Sequence, residues 1–141
     1  MDRTSVDTNV LLRLTLKDVP DQHERAAALF RAMPRVVVGD AALVEYVFVL
    51  EDYYELPRAQ VAEMVRGVMR LPGVECSSAL IDRALSGWQV HPELSFEDCY
   101  MAERALADDA APLWTFDKKL ARQHPGAQEV PETPDPADPA G

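Results

Sequence analysis

The sequence predicts an α/β domain with a short, mostly parallel central sheet of four to five strands. Short apolar runs typical of strands alternate along the chain with longer stretches of helical periodicity, and this alternation favours a parallel sheet covered by helices. The chain has 141 residues, of which 48% are hydrophobic. That size allows one compact domain with a buried core and is too small for two.

Five short segments have the apolar character of strands and are bounded by turn or cap residues. They are residues 4–7, 35–38, 74–76, 112–115 and 127–130. The first is the weakest of the five, because Val6 is its only large apolar residue. We therefore expect the edge formed by this strand to be the least stable part of the sheet.

Helical periodicity covers the segments between these strands. The predicted helices are residues 9–15, 22–32, 41–54, 58–71, 78–89 and 96–107, with a short helix after Asp117. Pro57 fits the first position of the fourth helix, so the third and fourth helices are expected to form a hairpin. This hairpin has more apolar residues than one core-facing stripe needs, which fits either burial on two sides or contact with a protein partner.

Charge and the terminal segments narrow the class of protein. Lys and Arg total 14 against 24 for Asp and Glu, a net charge of −10, which argues against a protein that holds nucleic acid by bulk electrostatics.

Residues 131–141 contain four prolines and three acids and predict a disordered acidic tail after a domain of residues 1–130. No apolar run resembles a signal peptide or a membrane span, so we expect a soluble cytoplasmic protein. Cys76 and Cys99 have no ligand spacing and are expected to be free, buried thiols.

Four carboxylates stand where a parallel α/β sheet places its ligand site. Asp7 follows the first strand, Glu45 lies inside an apolar helix, Asp98 is in the first turn of a later helix, and Asp117 directly follows a strand. The carboxyl ends of parallel strands and the helix starts that follow them share one edge of the sheet. The four side chains are therefore expected to converge there.

Three of these acids have a simpler explanation as helix caps. For the first helix the cap can be Asp7, Thr8 or Asn9. Asp98 can be the third helical position of a capping box that begins at Ser95, and Asp117 can cap the short helix after it. Glu45 differs, because the residues on both sides of it are apolar and a charge among them is costly unless it is paired or bound to metal. The weaker alternative is an exposed Glu45 on the solvent side of its helix.

These residues together resemble the PIN domain family, and within it the small VapC-type toxin ribonucleases of toxin–antitoxin pairs. The resemblance follows four segments in order: VDTNVLLR at 6–13, LVE at 43–45, FEDC at 96–99 and TFDKKL at 115–120. It covers nearly everything before the tail and implies a three-layer α/β/α fold. Cys99 stands where a small residue such as Ala is common in the family.

The resemblance also assigns the site. It implies that three acids form a metal-binding triad, that a fourth and more variable acid completes it, and that two polar residues support the site. In the same order, these are Asp7, Glu45 and Asp98, then Asp117, then Asn9 and Thr115.

The reaction implied by the resemblance is hydrolysis of RNA phosphodiester bonds. Carboxylate oxygens suit Mg²⁺, with Mn²⁺ as the alternative, and the three histidines show no ligand spacing among these acids. An acidic protein needs local cations to hold a polyanion, and Arg13, Lys118 and Lys119 are the candidates for RNA contact. The alternative for these cations is an ordinary solvated helix face.

The resemblance further implies a cognate antitoxin that masks the site, and a homodimer, with no membrane partner. One competing interpretation is a catalytically silent PIN-like protein-interaction module, in which the acids are caps and anchor a basic partner. Another is a receiver or phosphatase with an aspartyl nucleophile. That class is disfavoured because Asp7 stands alone after the first strand and no acceptor arrangement follows the second.

Overall fold

The computed structural model describes residues 2–132, within which it has seven α-helices, one π-helical turn and five strands. In chain order they are β1 Arg3–Val6, α1 Thr8–Leu16, α2 Pro20–Ala32, β2 Arg35–Val38, α3 Asp40–Phe48, the π-helical turn Val49–Tyr53, α4 Arg58–Met69, β3 Val74–Glu75, α5 Ser78–Val90, α6 Phe96–Ala107, β4 Leu113–Thr115, α7 Lys118–Gln123 and β5 Ala127–Glu129. From position 133 onward, the predicted tail lies outside the described residues. No helix between residues 2 and 132 is long and apolar enough to cross a membrane.

The α/β class is confirmed, and every strand pairing in the described chain is parallel. Instead of one sheet of four to five strands, the hydrogen bonds form two sheets: β1-β2-β3 and β4-β5. The strands are only two to four residues long, so each pairing is short. The predicted order of elements along the chain is otherwise observed.

The chain divides into two compact units, Met1–Asp82 and Arg83–Gly141, and the division falls inside α5. The first unit contains β1 to β3 and helices α1 to α4. The second unit contains the end of α5, then α6, β4, α7 and β5. Each unit has buried apolar residues of its own.

In the first unit, the core lies between the sheet and the helices that follow its strands. β2 contributes Val36 and Val38, and α1 contributes Leu11 and Leu12. The start of α5 adds Leu80 and Ile81, and the hairpin of α3 and α4 supplies the largest group of buried side chains, Leu43, Tyr46, Val47, Leu50, Val61, Val65 and Val68. These seven residues of the hairpin are therefore core residues.

Details of the hairpin differ from the prediction. Pro57 is the N-cap residue of α4 rather than its first helical residue. The predicted single helix 41–54 is α-helical only as far as Phe48, and the next turn is wider, with the N–H of Tyr54 donating to the carbonyl of Val49. Phe48 and Tyr53 are the large apolar residues of the hairpin left exposed, at 62% and 78%.

β1 is held by contacts with β2 and β3, although Val6 is its only large apolar residue. It pairs with β2 over its whole length, from Arg3 opposite Arg35 to Val6 opposite Val38. The carboxylate of Glu75 on β3 accepts from Arg35 Nε at 2.7 Å and from Arg3 at 3.4 Å. The hydrogen bond from Arg35 is the main cause that lowers the pKa of Glu75. One acid thus links side chains of all three strands.

Burial raises the pKa values of two groups of the first unit, the Tyr46 hydroxyl and the Cys76 thiol. The Tyr46 hydroxyl lies 2.8 Å from Thr15 Oγ1, and burial raises the pKa of Tyr46 to about 12. Both cysteines are free, as predicted; Cys99 of the second unit is buried, whereas Cys76 is only half-buried. Burial, followed by the charge of Asp40, raises the pKa of the Cys76 thiol. The prediction of a fully buried Cys76 was wrong because it lies just beyond the short strand β3.

The second unit packs around Trp88, which is fully buried. Its ring meets Phe96 edge-on, with ring centroids 5.8 Å apart at 82°. The buried His124 accepts from the N–H of Gly126 at Nδ1, and its Nε2 lies 3.2 Å from Glu103. These contacts tie α5, α6 and the end of α7 into one core.

Candidate active site

Asp7 lies directly after β1 and caps α1. Its Oδ1 accepts a hydrogen bond from the N–H of Val10 at 3.1 Å, and the residue is exposed. Capping of this helix was one of the two explanations for Asp7, and the structure confirms it. The bond uses one carboxylate oxygen, so capping fixes the side chain while leaving Oδ2 outside that contact.

Thr8 connects the start of α1 to the middle of α3. Its buried hydroxyl lies 3.1 Å from the carbonyl oxygen of Ala42 and 3.3 Å from Glu45 Oε2. A hydroxyl has one proton, so it donates to one of these oxygens at a time. Within the first unit, this contact brings Glu45 beside the residue that follows Asp7.

Glu45 is exposed, and the expectation that it lacks a solvated face was wrong. The buried residues of the helical stretch lie on one stripe, at positions 43, 46, 47 and 50. Glu45 lies off that stripe, one turn before the exposed Phe48. The apolar residues next to Glu45 in sequence are therefore separated from it around the helix.

Asn9 and Arg13 line a groove of about 400 Å³ between α1 and α2. The guanidinium of Arg13 contacts Asp18 Oδ1 at 2.7 Å and donates to the hydroxyl of Tyr54 at 3.1 Å. The hydrogen bond with Tyr54 is the largest cause that raises the pKa of Arg13, and Asp18 adds to it. Both terminal nitrogens of this guanidinium are thus already hydrogen-bonded within the first unit, one to Asp18 and one to Tyr54.

Asp117 in the second unit is held from both sides. The hydroxyl oxygen of Thr115 accepts from the N–H of Asp117 at 2.9 Å, and Asp117 Oδ1 accepts from the N–H groups of Lys119 and Leu120 at 2.9 and 3.2 Å. Asp117 is exposed at the carboxyl end of β4. Thr115 therefore positions the backbone of this acid, and capping orients its carboxylate.

Asp98 is the third residue of α6 and is half-buried. Ser95 caps this helix, accepting from the N–H of Asp98 at 3.1 Å. The predicted cap residue is confirmed. The cap contact involves the backbone of Asp98, so its carboxylate has no part in that bond.

The acids supply oxygen donors only, which is the chemistry that hard divalent cations prefer. The structure brings Glu45 beside Thr8 in the first unit and Thr115 beside Asp117 in the second. Among residues 2–132, it contains no group of three or more His, Cys, Asp or Glu side chains that could hold a metal ion. The donor type of each acid fits Mg²⁺ or Mn²⁺, and the described side chains do not form a complete ligand set.

Phe116 lies beside a candidate acid and is not among the site residues predicted from the sequence. Phe116 stands between Thr115 and Asp117 and is 81% exposed. It is followed by Lys118 and Lys119, which are also exposed. The signal in the sequence was an aromatic residue enclosed by polar and charged neighbours at a strand end.

Comparison with known proteins identifies the family. The family model of the PIN domain matches residues 5–124, a range that includes all four acids. No curated protein matches the chain. The family match covers most of the sequence and agrees with the parallel α/β architecture. The chain therefore belongs to the PIN domain family, whose members are generally nucleases and typically use divalent metals.

Proposed function

We propose that the protein is an endoribonuclease that hydrolyses RNA phosphodiester bonds with Mg²⁺, or Mn²⁺ as the alternative. The observation that carries this proposal is the family match over residues 5–124, within which Asp7, Glu45, Asp98 and Asp117 are all present. Three of these acids are exposed and the fourth is half-buried. Solvent-accessible carboxylates are what a site for a hydrated cation and a polyanionic substrate requires.

By the family pattern, Asp7, Glu45 and Asp98 would hold the cation and Asp117 would be the fourth acid. A bound divalent cation would supply charge neutralisation at the phosphate and would help water to lose a proton. In the overall hydrolysis, an oxygen of water bonds to phosphorus, the bond to the leaving ribose oxygen breaks, and that ribose oxygen takes up the proton that the water loses. No protein nucleophile is needed.

The chain's own contribution is to hold the acids in place. The Val10 N–H fixes one oxygen of Asp7, and the Thr8 hydroxyl restrains Glu45. Thr115 and the start of α7 do the same for Asp117. Preorganised carboxylates lose less freedom when a cation binds, so these contacts support the proposed role.

Cleavage of RNA with and without metal tests the proposal. The full chain should degrade total RNA in the presence of Mg²⁺ or Mn²⁺ and leave it intact in EDTA. Calorimetric titration with each metal gives a readout independent of activity. A folded protein that binds neither metal nor RNA would favour the catalytically silent interaction module, which is consistent with the capping roles of Asp7 and Asp117.

We also propose that the nuclease is a toxin that forms a homodimer and is inhibited by a cognate antitoxin. The exposed Phe48 and Tyr53 offer apolar area to a protein partner, and the net charge of −10 suits a cationic inhibitory segment. An antitoxin arginine bound to the acids by charge-assisted hydrogen bonds would compete with metal. Full metal affinity and activity in an antitoxin-bound protein would contradict this mechanism.

Lys118 and Lys119 are proposed to contact RNA phosphates. Both are exposed, and the ion pair of Lys119 with Glu93 is long at 3.7 Å with both side chains more than half exposed. Arg13 stays a proposed contact as well, although phosphate would have to compete with Asp18 for its guanidinium.

Lys118→Gln should weaken RNA binding similarly for all sequences. It should also reduce the slope of log K against log salt concentration by about 0.7, the value for one phosphate contact on a single strand. The measurement is filter binding in EDTA over a range of salt concentrations. Arg31→Gln, an exposed cation on α2, serves as the control and should leave the slope unchanged. An unchanged slope for Lys118→Gln would exclude this phosphate contact.

A further inference from the structure

His124 is the residue at which helix α7 ends, and it is only 4% exposed. Its backbone carbonyl accepts from the N–H of Ala127 at 3.1 Å, and its Nδ1 accepts from the N–H of Gly126 at 2.9 Å. A ring nitrogen that accepts a hydrogen bond carries no proton, so the proton of this imidazole is on Nε2. Nε2 lies 3.2 Å from Glu103 Oε1. Both ring nitrogens of this buried residue therefore have a partner.

The contact between Glu103 and His124 joins the two elements of the second unit that carry candidate acids. Glu103 lies on α6, the helix whose first turn contains Asp98. His124 ends α7, the helix that Asp117 caps at its start. α7 has only six residues, and a helix this short depends on contacts outside itself to keep its geometry. A contact that fixes the end of α7 therefore also helps to fix Asp117 relative to α6.

Both partners of the imidazole are themselves held in place. Glu103 Oε2 lies 3.4 Å from Arg83 Nε on α5, and the Glu103 side chain is 16% exposed. Gly126 packs so closely against α6 that an added Cβ would lie 2.9 Å from the Leu106 side chain and 3.0 Å from the carbonyl oxygen of Ala102. Glu103 is thus anchored by α5, and Gly126 is anchored by α6.

We propose that Glu103 and His124 are positioning residues, which hold Asp117 in place for the hydrolysis of RNA. This inference rests on the proposed ribonuclease function and adds two residues to it. Both side chains are largely buried, so they act on Asp117 through α7 and not by contact with RNA. Removing a residue that orients a group of an active site typically costs about 10- to 100-fold in activity.

Hydrogen exchange at two amides reports on Asp117 in the full chain without metal or RNA. The N–H groups of Lys119 and Leu120 donate to Asp117 Oδ1. Amides at the start of a short helix exchange by local opening, so a general loss of stability alone leaves their protection unchanged. Glu103→Ala should lower their protection by about 3- to 10-fold, as expected when one buried polar contact is lost. Glu103→Gln should retain it, because its amide oxygen can still accept from Nε2.

His124→Asn separates the link to α6 from the turn after α7. Asn has an oxygen at the place of Nδ1, so it can accept from the N–H of Gly126 in an Asx-turn, but it has no atom at the place of Nε2. It should therefore behave like Glu103→Ala, and the double variant should lose no more protection than either single variant. Asp108→Asn is the matched control, because Asp108 is an exposed acid at the end of α6 whose ion pair is with Arg104, at 3.0 Å.

The second measurement is the initial rate of cleavage of total RNA in Mg²⁺, over a range of RNA concentrations. Glu103→Ala and His124→Asn should lower the maximal rate by about 10- to 100-fold and leave KM unchanged, because the contacts that they break are remote from bound RNA. Glu103→Gln and Asp108→Asn should cleave like the wild type. Circular dichroism should show that the variants are folded, and if Glu103→Ala is not, His124→Asn carries the test.

Three results would overturn the proposal. They are wild-type protection of Lys119 and Leu120 in His124→Asn, a wild-type maximal rate in that variant, and a loss in Glu103→Gln as large as that in Glu103→Ala. Lowered protection of the two amides in a chain whose wild type cleaves no RNA would have a different meaning. It would leave the link from α6 to Asp117 standing and refute the nuclease function.

Discussion

Replacing Asp7 with Asn is expected to lower the rate of metal-dependent RNA cleavage by roughly 100- to 1,000-fold, equivalent to about 3 to 4 kcal/mol of lost transition-state stabilisation. Asn caps helices about as well as Asp, so the bond from the Val10 N–H to the side chain should survive. The substitution removes charge without removing shape. Initial cleavage rates at saturating Mg²⁺, with the melting temperature of each variant, measure the effect.

A second variant at this position and a control at another acid separate catalysis from capping. Asp7→Ala removes both the charge and the cap, so it should lose the same activity and in addition about 1 kcal/mol of stability. Asp21→Asn is the control, since Asp21 is an exposed acid of α2 whose ion pair with Arg25 is long at 3.7 Å. Its cleavage rate should match the wild type. Full activity in Asp7→Asn would remove Asp7 from the set of metal ligands.

Trp88→Ala is expected to cost about 3 to 5 kcal/mol of unfolding free energy, the largest effect on stability that we predict. Trp88 is fully buried, and its edge-on contact with Phe96 joins α5 to α6. Truncation leaves a cavity in a unit with few other large buried side chains. Urea denaturation followed by circular dichroism measures the change.

Trp88→Phe is the matched variant, because it keeps a ring opposite Phe96 and loses less volume. Its cost should be clearly smaller than that of the alanine variant. A loss below about 1 kcal/mol for Trp88→Ala would show that the second unit relaxes around the missing ring instead of retaining a cavity.

Local signals in the sequence were sufficient for most of the fold. The bounds of α6 agree with the prediction because Ser95 marks its start with a cap that needs only residues three apart. The π-helical turn at Val49–Tyr53 was not predictable, since no Pro or Gly interrupts the helical pattern there. The separation of the strands into two sheets depends on pairing between distant segments, which periodicity does not report.

The site was predictable where it depends on strand ends and unpredictable where it depends on distant contacts. Asp7 and Asp117 lie at the ends of β1 and β4, as the order of elements required. The contact of Thr8 with Glu45 joins residues 37 apart and could not be read from local spacing. The exposure of Phe116 depends on which side of β4 is covered, which the sequence alone does not fix.

The division of the chain into two units has a spectroscopic consequence. Both tryptophans, Trp88 and Trp114, belong to Arg83–Gly141, and Met1–Asp82 contains none. Intrinsic tryptophan emission therefore reports on the second unit alone, with a buried and an exposed indole in the same signal. Far-ultraviolet ellipticity reports helices of both units. If the two units lose structure at different denaturant concentrations, the emission and ellipticity transitions will not coincide, and the offset between them measures how strongly the units are linked in folding.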